Sequence, residues 1–216
     1  MLGFIRFVLI AVMMLAGASY AIAQPRVAPD ADDTAAKSEV RPGMHEPALS
    51  EAKDCDAGDL SQCYNLGISF ANGLGVSQDK GEAARLYRRG CDGGHAQGCT
   101  NLGLMYANGL GVSQDHVEAA HFFRKACDDG NAAGCTSLGV MYSKGLGVSQ
   151  DHGEAVRLYR EGCGGGDAAG CTNLGLIYEK GLSVSQDHGE AVRLYRKGCD
   201  GGSALGCSNF KALTGE

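Results

Sequence analysis

Tryptophan is absent from this 216-residue chain, aromatic residues make up 6% of it, and prolines number only four. With so few large side chains, its core must come from many small, similar contacts. Basic residues are also in deficit: 19 Lys and Arg stand against 25 Asp and Glu, a formal net charge of −6, and no basic block interrupts the sequence. That excludes a nucleic-acid partner, which needs concentrated positive surface to meet phosphate. The glycine-rich turns lack the G-x-x-x-x-G-K-[ST] order of a phosphate cradle. The short C-x2-4-C knuckle of zinc sites is missing too, so no metal and no cofactor are expected.

What the chain has in abundance is glycine, with 34 residues, and cysteine, with ten. Its start reads as an export signal. Arg6 supplies a positive leader, Phe7 to Gly17 form an apolar run, and Ala21-Ile22-Ala23 offers cleavage before Gln24. Residues 1–23 are therefore expected to be a signal peptide, with an uncleaved anchor as the alternative. No cysteine lies near the cleavage site, so lipid attachment finds no support. Losing Arg6 leaves 18 basic residues against 25 acidic ones, a net charge of −7, and no membrane association is expected after cleavage. Residues 24–46 mix Pro, Ala, Asp and Glu without period and read as a disordered tether.

Self-similarity governs the remainder. Cysteines fall at 55, 91, 127, 163 and 199, each 36 residues after the last, and a second set follows each of them by eight. A fixed period of this size marks a solenoid. Each period reads as two helices, which makes the fold class all-α, an α/α solenoid of period 36. Helix A spans about Ala96 to Ala107, with Leu102, Met105 and Tyr106 at helical spacing. Asn108-Gly109-Leu110-Gly111-Val112 then breaks it. Helix B opens on the D-x-x-E spacing of a capping box at Asp79/Glu82, Asp115/Glu118, Asp151/Glu154 and Asp187/Glu190. Its buried face is read as Ala119, Phe122 and Phe123, and it stops at the Cys-x-x-Gly run. Residues 59–202 form four such pairs. Residues 47–58 make a capping half-repeat before them, and residues 203–216 a capping helix and tail after them.

Ten cysteines permit hundreds of pairings, but the repeat favours local ones. The candidates are Cys55–Cys63, Cys91–Cys99, Cys127–Cys135, Cys163–Cys171 and Cys199–Cys207. Eight residues of one helix span about 12 Å, more than the roughly 7 Å between Cα atoms that a disulfide can bridge. The chain must therefore reverse between partners, at the glycines that follow each first cysteine. Each bridge then staples helix B of one repeat to helix A of the next. Metal binding is the alternative use of these thiols; an oxidising, periplasmic or extracellular location favours disulfides.

Ala96, Leu102-Gly103, Tyr106, Gly109, Gly111-Val112, Asp115 and Ala119, with their copies, resemble the Sel-one-like repeat family of tetratricopeptide-like solenoids over about residues 50–213. The added C-x7-C pairs are similar to the cysteine-rich Hcp proteins, a secreted group labelled a β-lactamase family. Ser183, where the pattern has glycine, and Lys211 in the final half-repeat depart from it. The resemblance implies protein or extended-peptide binding, by a monomer. Through the cysteine-rich group it also implies, as the alternative, a penicillin-binding or β-lactamase-like hydrolase with a β-lactam or peptidoglycan-like ligand.

Ser77-Gln78-Asp79-Lys80 matches S-x-x-K, which nominates Ser77 and Lys80 as catalytic candidates. The accompanying S-D-N and K-T-G elements are missing. The other repeats read S-Q-D-H there, so a lysine substituted at a helix start also explains the match. His116, His152 and His188 recur at the first position of helix B. Copies spaced by one repeat, roughly 10 Å, are too far apart to share an ion, so they read as exposed helix starts. A polar ladder stands two residues after each second cysteine: Asn65, Asn101, Ser137, Asn173 and Asn209. In tetratricopeptide-like folds helix A lines the inner groove, where such amides can grip a peptide backbone. These five are the binding candidates, against the simpler reading that they bond neighbouring backbone or face water.

Overall fold

The computed structural model describes residues 44–215. The expected signal peptide, and the expected tether as far as residue 43, lie outside the described residues. Ten α-helices and no strand occur among the described residues. Helix α1 (Ala48–Asp56) stands where a B helix would. Four A–B pairs follow: α2 (Leu60–Asn72) with α3 (Lys80–Asp92), α4 (Ala96–Asn108) with α5 (His116–Asp128), α6 (Ala132–Lys144) with α7 (His152–Gly164), and α8 (Ala168–Lys180) with α9 (His188–Asp200). Helix α10 (Ala204–Thr214) ends the stack as a lone A helix.

The turn inside each pair is built by three side-chain rules. Gly73, Gly109, Gly145 and Gly181 end the A helices in the left-handed conformation, at φ of 66° to 72°, which a glycine adopts without steric cost. Gln78, Gln114, Gln150 and Gln186 donate from Nε2 to the carbonyls of Ala71, Ala107, Ser143 and Glu179, satisfying helix-end acceptors. Asp79, Asp115, Asp151 and Asp187 accept backbone N–H bonds at the start of each B helix.

The reciprocal half of the expected capping box is not made. The aspartate N–H groups donate instead to the carbonyls of Phe70, Tyr106, Tyr142 and Tyr178 on the preceding A helix. Glu82, Glu154 and Glu190 pair with Arg85, Arg157 and Arg193 one turn on. The backbone donor finds a carbonyl brought in by the turn, which frees the glutamates for the arginines.

Between pairs the chain reverses at Gly94, Gly130, Gly166 and Gly202, all with positive φ. The reversal brings each first cysteine to its partner eight residues on, with Cα separations of 4.4 to 4.7 Å. All five local disulfides are formed and none of the cysteines is free. Each joins a B helix to the next A helix. Closing a nine-residue loop is worth about 2.5 kcal/mol in the chain-entropy treatment.

The core runs through the stack as linked clusters of small and medium side chains. The A–B contact within a pair rests on a missing side chain. A Cβ at Gly67, Gly103, Gly139 or Gly175 would lie 2.7 to 2.8 Å from ring carbons of Tyr87, Phe123, Tyr159 or Tyr195. Each ring is buried against its own pair's A helix, a gain of about 2–3 kcal/mol.

Gly139→Ala should therefore lower the unfolding free energy by about 1–3 kcal/mol through displacement of Tyr159, although alanine alone favours helix by about 1 kcal/mol. A gain in denaturant midpoint would refute the contact. Ser183 holds φ of 57° where Gly111 and Gly147 have 72° and 67°. Ser183→Gly should raise stability by about 1 kcal/mol by relieving a left-handed non-glycine residue, read as an unchanged urea slope with a higher midpoint.

Candidate functional site

The two helical layers differ in how closely they pack. The A helices α4, α6, α8 and α10 touch one another in succession, whereas successive B helices make at most slight contact. Closer spacing in one layer curves the stack toward it, so the A helices form the inner face.

The five-residue polar ladder lies on that layer, and all its members are half-buried. Their bonding is uneven. Asn65 donates from Nδ2 to Gln62 Oε1 at 3.2 Å. Asn101 bonds the Tyr87 hydroxyl and Asn209 that of Tyr195, each reaching back to the preceding B helix. Ser137 stands where the matching ring is Phe123, which has no hydroxyl to bond. Asn173 has no hydrogen-bond partner among the described residues. Two of the amides thus meet a buried phenol, and Asn173 is left without an internal partner.

Burial raises the ionisation of Tyr87 and Tyr159 above the usual phenol range. Tyr195 is raised as well, by burial and by its hydrogen bond to Glu179. The phenols stay protonated at neutral pH; the Tyr195 hydroxyl donates to Glu179, whereas the oxygens of Tyr87, Tyr159 and Tyr195 accept from Asn101, Ser143 and Asn209. The hydroxyl pairing is absent from the sequence expectations, although a signal for it exists. Tyr87, Phe123, Tyr159 and Tyr195 precede Asn101, Ser137, Asn173 and Asn209 by 14 residues. The one ring without an oxygen goes with the one ladder position among these four without an amide.

A cavity of about 380 Å³ opens between α2 and α4, with Asn72, Lys80, Tyr87, Asn101, Leu104 and Leu110 among its walls. Leu104 and Leu110 are 43% and 38% exposed, so the opening is partly apolar. Lys80 borders it, as the first residue of α3. Ser77 sits in the exposed turn before the Asp79 cap, between α2 and α3. The S-x-x-K match therefore straddles a helix start, and the residues between its members serve as the glutamine and aspartate of the turn.

Of the helix-start histidines only His188 is exposed; His116 and His152 are half-buried, with Nδ1 buried and unbonded. The expectation of exposed helix starts is corrected for these two. The next repeat's turn packs over the helix start, so closely that a Cβ at Gly147 would lie 2.1 Å from the His116 carbonyl oxygen. One cluster of metal-capable side chains occurs among the described residues: Cys127, Cys135 and Glu161, with ligand atoms within 4.8 Å of one another. The two sulfurs are joined as a disulfide, and Glu161 pairs with Arg157. In the oxidised chain no thiolate is present there to hold an ion.

A stack of short helix pairs with a narrow inner layer, stapled between neighbours, is a helix-pair repeat solenoid. The chain belongs to the Sel1 repeat family: the Sel1 repeat model matches residues 63–95, 96–131, 132–167 and 168–203. No curated protein matches the chain. Among solved structures it is similar to c5321, described as a protective antigen present in uropathogenic Escherichia coli strains and displaying an SLR fold, at 27% identity and a TM-score of 0.72. It is similar also to a Sel1 repeat protein from Oxalobacter formigenes, at 25% identity and 0.73. Both alignments cover 77% of this chain, but 36% and 66% of the other chain, so this chain spans less than two thirds of each. Cysteine-rich protein B of Helicobacter pylori matches over 64% of this chain and 99% of its own, at 28% identity and 0.50.

Proposed function

We propose that this Sel1 repeat protein is an exported scaffold that binds an extended segment of another protein along its concave inner face. The ladder carries the reading, because Asn173 presents an amide with no internal partner at the register where Asn101 is already committed. An amide offers a donor and an acceptor, the pair that an extended backbone presents in reverse. A row of partly exposed apolar side chains beside it supplies the burial that backbone bonds alone do not. Repeat stacks suit this task, since each pair adds one identical register of contacts.

Five disulfides fit an oxidising compartment, and residues 1–23 and 24–46 are read with them as export signal and tether. Among the described residues no helix is long and apolar enough to cross a membrane. The working form in this reading is a monomer in the periplasm or outside the cell.

The two kinds of ladder asparagine allow a test that separates binding from folding. With peptides selected from a random displayed library, Asn173→Ala should weaken binding by about tenfold, the scale of one lost hydrogen bond, with the melting temperature unchanged. Asn101→Ala should lower the melting temperature as well, because it strips the Tyr87 hydroxyl of its partner. Equal affinity for every selected peptide in both variants would remove the inner face as the site.

The scaffold reading also fixes an expectation for chemistry. The oxidised mature chain should show no saturable hydrolysis of a chromogenic cephalosporin. Saturable turnover that disappears in a Ser77→Ala, Lys80→Ala variant would replace the scaffold reading with a serine hydrolase.

A further inference from the structure

One register of the B helices reads Lys53, Arg89, Lys125, Glu161 and Lys197, and its third repeat breaks the pattern of charge. The bases at this register turn toward the bridge of the repeat before. Arg89 donates to the Cys55 carbonyl at 2.9 Å, and Lys197 to that of Cys163 at 3.0 Å. Lys125 pairs with Asp92, the residue after Cys91. Glu161 has no such proton to give, and it sets Oε2 3.5 Å from Cys127 Sγ. A bridged sulfur carries no hydrogen, so in the oxidised chain this contact is not a hydrogen bond.

Three donor atoms therefore meet at one corner. Cys127 Sγ, Cys135 Sγ and a Glu161 carboxylate oxygen lie within 4.8 Å of one another. Arg157 holds Oε1 of Glu161, which leaves Oε2 toward the sulfurs. Cys135 is buried, Cys127 half-buried and Glu161 exposed, so the corner opens to water on one side. The Cys199–Cys207 bridge is half-buried as well, but among the described residues no third metal-capable side chain joins it. In three other bridges the second sulfur lies 3.6 to 3.7 Å from the first cysteine's own carbonyl oxygen, a neutral neighbour.

We propose that this corner is a redox-controlled site for a thiophilic divalent cation such as zinc. Once Cys127–Cys135 is reduced, its two sulfurs and Glu161 Oε2 bind the ion, and water completes a tetrahedron. Zinc with ordinary bond lengths holds a sulfur and an oxygen about 3.6 Å apart and two sulfurs about 3.8 Å apart. The first separation is in place at 3.5 Å. The second requires the bridge to be cut, so the ion is taken only on reduction. A small dithiol does this by giving two electrons and two protons: it leaves as a cyclic disulfide, and both cysteines become thiols. The metal then displaces the two thiol protons. Two thiolates and a carboxylate balance the dication together with the Arg157 guanidinium, which orients the carboxylate as outer partners of metal ligands do. A base in place of Glu161, as in the other repeats, would repel the ion.

The test treats the oxidised chain with one equivalent of dithiothreitol, desalts it without oxygen and titrates it with Co2+, whose visible absorption reports tetrahedral thiolate ligation. Alkylation and mass spectrometry should find the free thiols at Cys127 and Cys135, and Co2+ should protect both from the label. The bands should saturate at one ion per chain, vanish on adding Zn2+ and be absent before reduction. Glu161→Lys, which restores the base of the other repeats, should leave the melting temperature of the oxidised chain unchanged. It should weaken Co2+ binding at least about tenfold, the lower scale for losing even an outer partner of a metal ligand. Glu161→Gln, neutral and of the same size, should weaken it in the same direction. Thiols freed first at another pair, or none freed at all, would overturn the assignment of the labile bridge and with it the site. Thiols at Cys127 and Cys135 without tetrahedral bands would overturn metal binding. Equal Co2+ affinity in both Glu161 variants would overturn the carboxylate as a ligand.

Discussion

An aromatic ring pressed onto a helix backbone sets the spacing of the two layers. Tyr87, Phe123, Tyr159 and Tyr195 lie where a Cβ on Gly67, Gly103, Gly139 or Gly175 would stand. The glycine admits the ring, the ring draws the B helix close, and the leucines of both helices fill the space that remains. The same contact fixes where the phenol oxygen emerges. It arrives at the inner layer, within reach of Asn101 in one repeat and of Asn209 in another. The amide ladder is therefore partly a consequence of packing. In the third repeat the Tyr159 hydroxyl meets Ser143 and Asn173 keeps no internal partner, whereas Tyr195 is met by both Glu179 and Asn209.

Between repeats a second set of paired positions matches one unit to the next. Thr100 bonds Asn131 Oδ1, and Thr172 bonds the Ser203 hydroxyl, 31 residues on in each case. At the same offset Tyr64 stacks on His95, with ring centroids 4.3 Å apart. Arg88, Arg124 and Arg160 each reach a tyrosine of the following A helix, Tyr106, Tyr142 and Tyr178. The final repeat has no such tyrosine, and Arg196 lies over the Phe210 ring instead. Stability in such a stack is the sum of neighbour contacts, with no residue holding distant parts together.

The fold was legible because its signals are local and repeated. Asp115, Gly109 and the cysteine spacing act within one or two turns of chain, and four copies removed the ambiguity that a single copy leaves. The reciprocal capping box misled at Glu82, Glu154 and Glu190, because a donor's choice between a nearby glutamate and a carbonyl brought in by a turn depends on tertiary geometry. The half-burial of His116 and His152 was hidden for the same reason: the covering turn comes from the next repeat. The candidate site was legible as a register, Asn65 to Asn209. Its division into committed and open amides was not, since that depends on where a phenol 14 residues earlier is aimed.

The disulfides have a consequence for how such a chain is made. Each cysteine meets its partner after eight residues, while the next wrong partner lies 28 residues further on, as between Cys63 and Cys91. Closing the longer loop costs about 1 kcal/mol more, which gives the correct thiol an advantage of about sixfold while the chain is still unfolded. A chain emerging from its N terminus through a narrow pore presents the correct pair while the competitor is still inside. For a chain exported as proposed above, order of appearance would then do what disulfide isomerases do for chains with interleaved bridges, and repeats could be gained or lost without creating a pairing problem for those that stay.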